Sequence, residues 1–333
     1  MNISINHNID GVKDFIEVFK TYPSISKTGI ELLLNTKSYE KLISLFGKNI
    51  GLAEKTQWEE IFYDAYKLSL EDKQYAGSDI IKKNIIEPII WAIKNISELY
   101  KYTEKIERIV EKKEFIRKAL KYLPAINCDI EINFNYYIFM NNAAVENNQI
   151  LIDVGFANQL SEVQLNDLLA HEIHHYLKDY LNIYKQPQNS YNDITLSLFT
   201  LENEGIADMC NFESQKYIYE KFGWMEKGLL MDILKNSNKY INQLNNILKI
   251  KLVENNDHVN IYEFLMQNQI VHPLGYKMAS TIEEYLGLDE LRDCVGNPLK
   301  FILKFNKAYE IENSKKAFGN EVIEKLCFIY DNR

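Results

Sequence analysis

The segment Leu168-Leu169-Ala170-His171-Glu172-Ile173-His174-His175-Tyr176 holds two histidines four residues apart and a glutamate directly after the first. Residues four apart on a helix lie on one face, about one turn from each other. His171 and His175 can therefore direct both imidazoles at one metal ion, with Glu172 beside it. A catalytic zinc site takes three protein ligands and keeps one position for water. The segment predicts a zinc site that activates water.

The residues around this segment favour a helix from Glu162 to Leu181. Ser161 is followed three residues later by Gln164, which is the pattern of a capping box at a helix start. Apolar residues recur after it at helical spacing, and the stretch 161–184 contains neither proline nor glycine. We expect the two histidines to lie on one regular helix.

A second segment, Leu201-Glu202-Asn203-Glu204-Gly205-Ile206-Ala207-Asp208, offers the remaining groups of such a site. Glu204 and Asp208 are again four residues apart. Glu204 is our candidate for the third zinc ligand, and Asp208 for the carboxylate that orients a zinc-binding histidine. Glu202 is the alternative ligand, but it lies roughly 200° round the helix from Glu204, so only one of them can face the metal.

We predict that this second helix runs from Asp193 to Phe222, after a loop over Asn182–Asn192 that contains Pro187. Gly205 lies inside the predicted helix, where glycine costs about 1 kcal/mol against alanine. A glycine at this position indicates that another part of the chain packs closely against it.

Together the two segments resemble the gluzincin zinc metallopeptidases, in which a second helix supplies a glutamate and often an aspartate four residues later. The resemblance is closest to an uncharacterised bacterial family described as zinc-dependent peptidases, and it extends from about Asp129 to about Lys300. It implies peptide hydrolysis by a zinc-activated water with Glu172 as the general base, by an endopeptidase or an aminopeptidase. The spacing from His175 to Glu204 is longer than in the best-known gluzincins.

A later segment, His272-Pro273-Leu274-Gly275-Tyr276, precedes a helix predicted from Tyr276 to Leu286. Hydrolysis at zinc produces an oxyanion that needs a donor besides the metal. In gluzincins a tyrosine or histidine C-terminal to the ligands usually supplies it. The resemblance therefore makes Tyr276 and His272 the candidates for this role.

Two strands are predicted before the first motif. Apolar and polar residues alternate over Ile130–Ile138, and Ile150–Val154 is a short apolar run after an asparagine-rich turn. Zincin-like enzymes bind an extended substrate along an edge strand near the metal. Asn142, Ala143 and Ala144 are the candidates for that edge.

The fold class that we predict is mainly α with a small antiparallel β-sheet (α+β), a zincin-like metal core between helical parts. The parts are an N-terminal helical region (1–127), the core (128–222) and a C-terminal helical region (223–333), which we expect to form one interwoven unit. Within the first part, a long helix is predicted over Ile80–Ala119, kinked or divided at Pro88.

The composition of the chain argues against some classes of binding partner. The formal net charge is −9, which argues against nucleic acid and anionic membranes, so we expect a peptide or protein substrate. We expect no signal peptide, because the first residues show no basic region followed by an apolar run, and we find no apolar stretch long enough to cross a membrane. The four cysteines are scattered and form no Cys-x-x-Cys pair. We therefore expect them to be reduced thiols and the protein to be cytoplasmic. The sequence does not fix the oligomeric state.

Three other interpretations remain open. A metal-dependent hydrolase acting on a non-peptide bond would activate water in the same way. A non-catalytic helical binding protein could carry a structural zinc, although such sites usually close with four protein ligands. Glu172 and His175 also form Glu-x-x-His, half of the di-iron motif of helix bundles, but we find no second copy in the chain.

Overall fold

The computed structural model describes residues 2–180, 192–210 and 212–331. It confirms a mainly α protein with one small sheet. The chain divides into two compact units, Met1–Phe115 with Asn127–Glu172, and Ile116–Ile126 with Ile173–Arg333. Two of the three boundaries, after Phe115 and after Glu172, fall within continuous helices. Whether the three predicted parts are separable stays a prediction.

The first unit holds the sheet and the N-terminal helices. Its strands are β1 (Ile3–Asn8), β2 (Ile130–Tyr137), β3 (Ala143–Glu146) and β4 (Gln149–Asp153). Its helices are α1 (Asp10–Phe19), α2 (Lys27–Leu34), α3 (Lys37–Phe46), α4 (Lys55–Leu70), α5 (Ile80–Lys94), α6 (Leu99–Glu111) and α8 (Val154–Asn158), with 3₁₀ turns at Gly47–Ile50 and Ile96–Glu98. Helices α7 (Glu114–Leu120) and α9 (Glu162–Tyr180) cross the division.

The sheet is mixed, and the prediction of an antiparallel sheet was wrong in this respect. Its strand order is β1-β2-β4-β3, in which β1 pairs with β2 and β2 with β4 in parallel, while only β3 and β4 are antiparallel. Both predicted strands are present, and the structure adds β1 and β3. Asn147 and Asn148 have positive φ in the tight turn between β3 and β4, a conformation that asparagine tolerates.

Strand β3 is the last strand of this order and contains Ala143 and Ala144, with Asn142 just before it. Its described pairing is with β4 on one side. The predicted substrate-facing residues therefore lie at a sheet edge, and their contact with a substrate stays a prediction.

The last residue of β4, Asp153, has a fully buried carboxylate. Its Oδ2 accepts hydrogen bonds from the N–H groups of Phe139 (2.6 Å) and Met140 (3.2 Å), and its Oδ1 accepts one from Phe156 (2.7 Å). One side chain thus joins the chain leaving β2 to the start of α8. Burial raises the pKa of Asp153 to about 7, although these backbone donors act in the opposite direction.

The second unit is helical in the parts that the structure describes. It contains α10 (Asn192–Asp208), α11 (Phe212–Phe222), α12 (Leu229–Lys235), α13 (Ser237–Leu252), α14 (Ile261–Gln267), α15 (Val271–Leu286), α16 (Leu288–Arg292), α17 (Pro298–Asn313) and α18 (Asn320–Asp331). None of the described helices of either unit is both long and apolar enough to cross a membrane.

Several predicted boundaries need correction. The second motif helix was predicted to continue to Phe222, but α10 ends at Asp208 and α11 is a separate helix. Pro88 lies inside α5, so the predicted long helix is not divided there; it is divided at Asn95 and again at Lys112–Lys113, and a kink at Pro88 stays a prediction. The loop predicted over Asn182–Asn192 lies outside the described residues, except that α10 already begins at Asn192.

Helix α15 starts five residues earlier than predicted, at Val271, so His272 lies in its first turn rather than in a loop. Proline is tolerated there because the first N–H groups of a helix have no acceptor within it. This start brings His272 onto the same helix as Gly275 and Tyr276.

Gly205 packs against Gly275, as the glycine inside α10 indicated. A Cβ on Gly205 would lie 2.4 Å from the carbonyl carbon and oxygen of Gly275, and a Cβ on Gly275 would lie 2.6 Å from the oxygen of Leu201. The two helix backbones therefore touch, which no larger residue permits. Because Asp208 follows Gly205 and contacts His272, which precedes Gly275, the two helices are antiparallel here.

We predict that Gly205→Ala lowers the free energy of unfolding by about 1–3 kcal/mol or more, because the added methyl must push two backbones apart. Urea unfolding would measure the loss. Gly29→Ala is the matched control, since a Cβ on this helical glycine would meet its nearest atom, Ile25 Cγ2, at an ordinary 3.5 Å. That variant should be neutral or more stable by up to about 1 kcal/mol. Equal losses in both variants would contradict the packing argument.

We predict that Asp153 makes the protein less stable as the pH rises from about 4 to about 7. In this window the unfolded carboxyl, with an ordinary pKa near 3.8, has released its proton while the folded one still holds it. About three pH units at about 1.4 kcal/mol each give up to about 4 kcal/mol. The measurement is the difference in unfolding free energy between wild type and Asp153→Asn at pH 4.5 and 8, which should shrink as the pH rises. A constant difference would count against the raised pKa.

Candidate metal centre

Helix α9 is well defined at its start and along its buried face. The predicted capping box is present: Gln164 N–H donates to Ser161 Oγ (3.2 Å), and Ser161 N–H donates to Gln164 Oε1 (2.9 Å). Leu169, Ile173 and Leu177, spaced four residues apart, are fully buried. Cap and buried stripe together fix the rotation of the helix, and with it the face that carries the two histidines.

The structure groups His171, His175 and Glu204 as residues that could hold a metal ion, with one ligand atom of each within 4.8 Å of the others. His175 Nε2 lies 3.2 Å from Glu204 Oε2. Ligand atoms at about 2.0–2.1 Å from a tetrahedral zinc ion lie roughly 3.4 Å apart. Two imidazole nitrogens and one carboxylate oxygen fit zinc in donor type, and the separation of His175 from Glu204 fits two ligands on one ion.

The site is partly shielded from water. His171 and Glu172 are buried, whereas the side chains of His175 and Glu204 keep 14% and 20% of their exposure. Such partial burial strengthens electrostatic attraction to a cation and leaves a route for water. Glu172 follows His171 directly on the helix, as in the sequence prediction.

Glu202, the alternative third ligand, faces another partner. Its Oε2 accepts a hydrogen bond from Lys178 Nζ at 2.6 Å, and its Oε1 accepts one from the N–H of Gly296 at 3.0 Å. The side chains of Lys178 and Glu202 are both fully buried. The structure thus places Glu204 with the histidines and Glu202 in an ion pair.

Asp208 contacts His272. His272 Nδ1 lies 3.0 Å from Asp208 Oδ2 and 3.9 Å from Glu204 Oε2. Tyr219 Oη lies 3.0 Å from His272 Nδ1 and 3.3 Å from Nε2. Asp208 is buried and His272 about one third exposed, so the imidazole is held at one end and open to solvent on part of its surface.

Tyr276 packs into an apolar cluster. Its ring stacks on Phe212 with centroids 3.9 Å apart, beside buried Met225 and Leu230. Burial raises the pKa of Tyr276, so its phenol is neutral at neutral pH. Two candidates were predicted for the oxyanion role. In the described contacts it is His272, and not Tyr276, that lies near Glu204, with Nδ1 3.9 Å from Oε2.

Sequence reasoning missed Tyr219 and Lys178. Lys178, three residues after His175, could have been noticed, because it lies on the buried side of α9. The second segment also holds one carboxylate more than the zinc site needs, that of Glu202. Tyr219 gave no signal, because the sequence predicted one continuous helix from Asp193 to Phe222, whereas the structure places Tyr219 on the separate helix α11.

A mainly helical fold with two histidines and a glutamate grouped around one point defines a protein that can hold a catalytic type of metal site. Over residues 30–314 the chain matches the model of a family described as "Putative zinc dependent peptidase (DUF5700)", and it belongs to this family. The description agrees with the zinc that the donor set favours. No curated protein and no solved structure matches the chain.

We predict that Lys178→Met destabilises the protein by about 3–5 kcal/mol, because it leaves the Glu202 carboxylate buried without its cation. Chemical denaturation of the chelator-treated protein would measure this loss without a contribution from metal. Lys249→Met is the control, since Lys249 pairs with Glu321 at the surface and such pairs contribute about 0–1 kcal/mol. A loss below about 1 kcal/mol in Lys178→Met would show that Glu202 is not held by this ion pair.

Proposed function

We propose that this protein is a zinc metallopeptidase of the gluzincin type, with His171, His175 and Glu204 as the metal ligands and Glu172 as the general base. The observation that carries the proposal is the grouping of two imidazoles and one carboxylate with ligand atoms within 4.8 Å of one another, on helices where Glu172 adjoins His171. Membership of a family described as zinc-dependent peptidases supports the same reading.

Bound zinc would lower the pKa of a coordinated water towards neutrality and polarise the scissile carbonyl. Glu172 takes the proton of the attacking water and delivers it to the leaving amine. Its place on α9 directly after His171 supports this role.

His272 is the group that we propose for the developing oxyanion. Its contact with Asp208 holds the Nδ1–H as a donor to the carboxylate and fixes the ring, while Tyr219 limits its rotation. Asp208 was predicted to orient a zinc-binding histidine. That role stays a prediction, because the described contact of Asp208 is with His272. Tyr276 also stays a prediction, although its stack on Phe212 favours a packing role.

A peptide is the substrate class that we favour, because an extended peptide can add to the edge of a sheet at β3, where Asn142, Ala143 and Ala144 lie. Neither nucleic acid nor a membrane is expected as a partner of this acidic chain. A cytoplasmic location is part of the proposal, supported by four free cysteines. A non-peptide hydrolase would use the same groups, and a cleavage assay separates the two.

The test compares wild type with Glu204→Ala, Glu172→Gln and His272→Ala for zinc content by elemental analysis and for cleavage of a peptide library. Wild type should hold about one zinc per chain, and Glu204→Ala should lose it or bind it far more weakly. Glu172→Gln should keep zinc and lose about 10²–10⁴-fold in cleavage rate. His272→Ala should keep zinc and lower kcat by about 10²–10³-fold.

The outcomes separate the parts of the proposal. Wild-type protein that takes up no zinc, even after reconstitution, would leave a non-catalytic helical protein. Zinc retained in Glu204→Ala would remove Glu204 from the ligand set. Zinc lost in Glu172→Gln would contradict the division between ligand and base. Bound zinc without cleavage of any peptide would favour a non-peptide substrate.

A further inference from the structure

A chain of hydrogen bonds leads from the buried ion pair to the proposed metal ligand Glu204. Lys178 Nζ, which pairs with Glu202, also donates to Asn203 Oδ1 at 3.0 Å. Asn203 Nδ2 then donates to Glu204 Oε1 at 3.0 Å. A side chain of α9, the helix of His175, thereby contacts the side chain that holds the carboxylate of α10.

The two partners of Asn203 fix the orientation of its amide. An ammonium group only donates, so it must face the amide oxygen, and an ionised carboxylate only accepts, so it must face the NH₂ group. Lys178 is itself fully buried and bound to Glu202, which leaves its ammonium little freedom to move. The NH₂ group of Asn203 is therefore aimed at Glu204 by a fixed neighbour.

The two oxygens of Glu204 have different surroundings as a result. Oε1 accepts the hydrogen bond from Asn203, whereas Oε2 lies 3.2 Å from His175 Nε2, at the spacing of two ligands on one tetrahedral ion. The bond to Oε1 opposes rotation of the carboxylate about its terminal torsion, which by itself has a broad and roughly two-fold preference.

We propose that Asn203, held by Lys178, is a positioning residue that presents Glu204 to the metal through Oε2. The inference rests on the proposed metal site and deepens it. Asn203 suits this task because it is neutral. A lysine or arginine in its place would hold the carboxylate equally well but would cancel the negative charge that attracts a divalent cation.

The test measures zinc affinity by competition with a chromophoric chelator for wild type, Asn203→Ala and Asn203→Leu. Leucine has the branched shape of asparagine and a larger volume but makes no hydrogen bond, so agreement between the two variants excludes an effect of lost volume. Groups that hold a metal ligand typically change metal affinity by about 10–100-fold when removed. We expect a loss of this size in both variants. Asn242→Ala, at an exposed position inside α13, is the control and should bind zinc as wild type does.

Thermal unfolding of the same proteins in chelator separates positioning from folding. The positioning role predicts that the midpoint of the metal-free variants stays near that of the wild type while their zinc affinity falls. Zinc affinity within about threefold of wild type in both variants would overturn the inference. A midpoint that falls with unchanged zinc affinity would overturn it too and leave a structural role. If wild type itself binds no zinc, the proposed metal site fails instead.

Discussion

The close contact between the Gly205 and Gly275 backbones decides what the second unit can bring together. With no side chain between them, α10 and α15 approach until their main chains touch, and residues three positions away on each helix meet. Asp208 and His272 are such a pair, 3.0 Å apart. A bulkier residue at either glycine would separate the imidazole from the carboxylates of α10. The cost of glycine inside two helices is offset by this approach.

The second constraint is electrostatic. Burying Lys178 and Glu202 removes both charges from water, which a close pair compensates only with good geometry and further hydrogen bonds. The N–H of Gly296 and the amide of Asn203 supply those bonds. A buried pair adds little net stability compared with apolar side chains, but it tolerates few alternative arrangements, since each would leave a charge without its partner. Such a pair suits a place where one helix must keep its register beside another.

The candidate site could be predicted from the sequence because its signals are local. Two histidines four apart, a capping box and a glycine beside Glu204 depend on neighbours within one helix. The parallel pairing of β1 with β2 could not be predicted, since Ile3 and Ile130 are partners across more than a hundred residues. The contact of His272 with Asp208 joins two helices in the same way, and only the packed helices reveal it. Helix boundaries at Asp208 and Val271 were missed because turn residues there give weak signals.

Glu202 and Glu204 show how the fold places one residue type in two different environments. They are two positions apart, so they point to different sides of α10. Glu202 meets an ammonium group, which neutralises it in place and makes it a structural anchor. Glu204 meets the neutral amide of Asn203 and the imidazole of His175, which direct its oxygens without a fixed positive charge. A carboxylate that is to bind a divalent cation has to keep its charge available. The lysine of α9 therefore suits the proposed metal ligand best when it acts through an intervening amide.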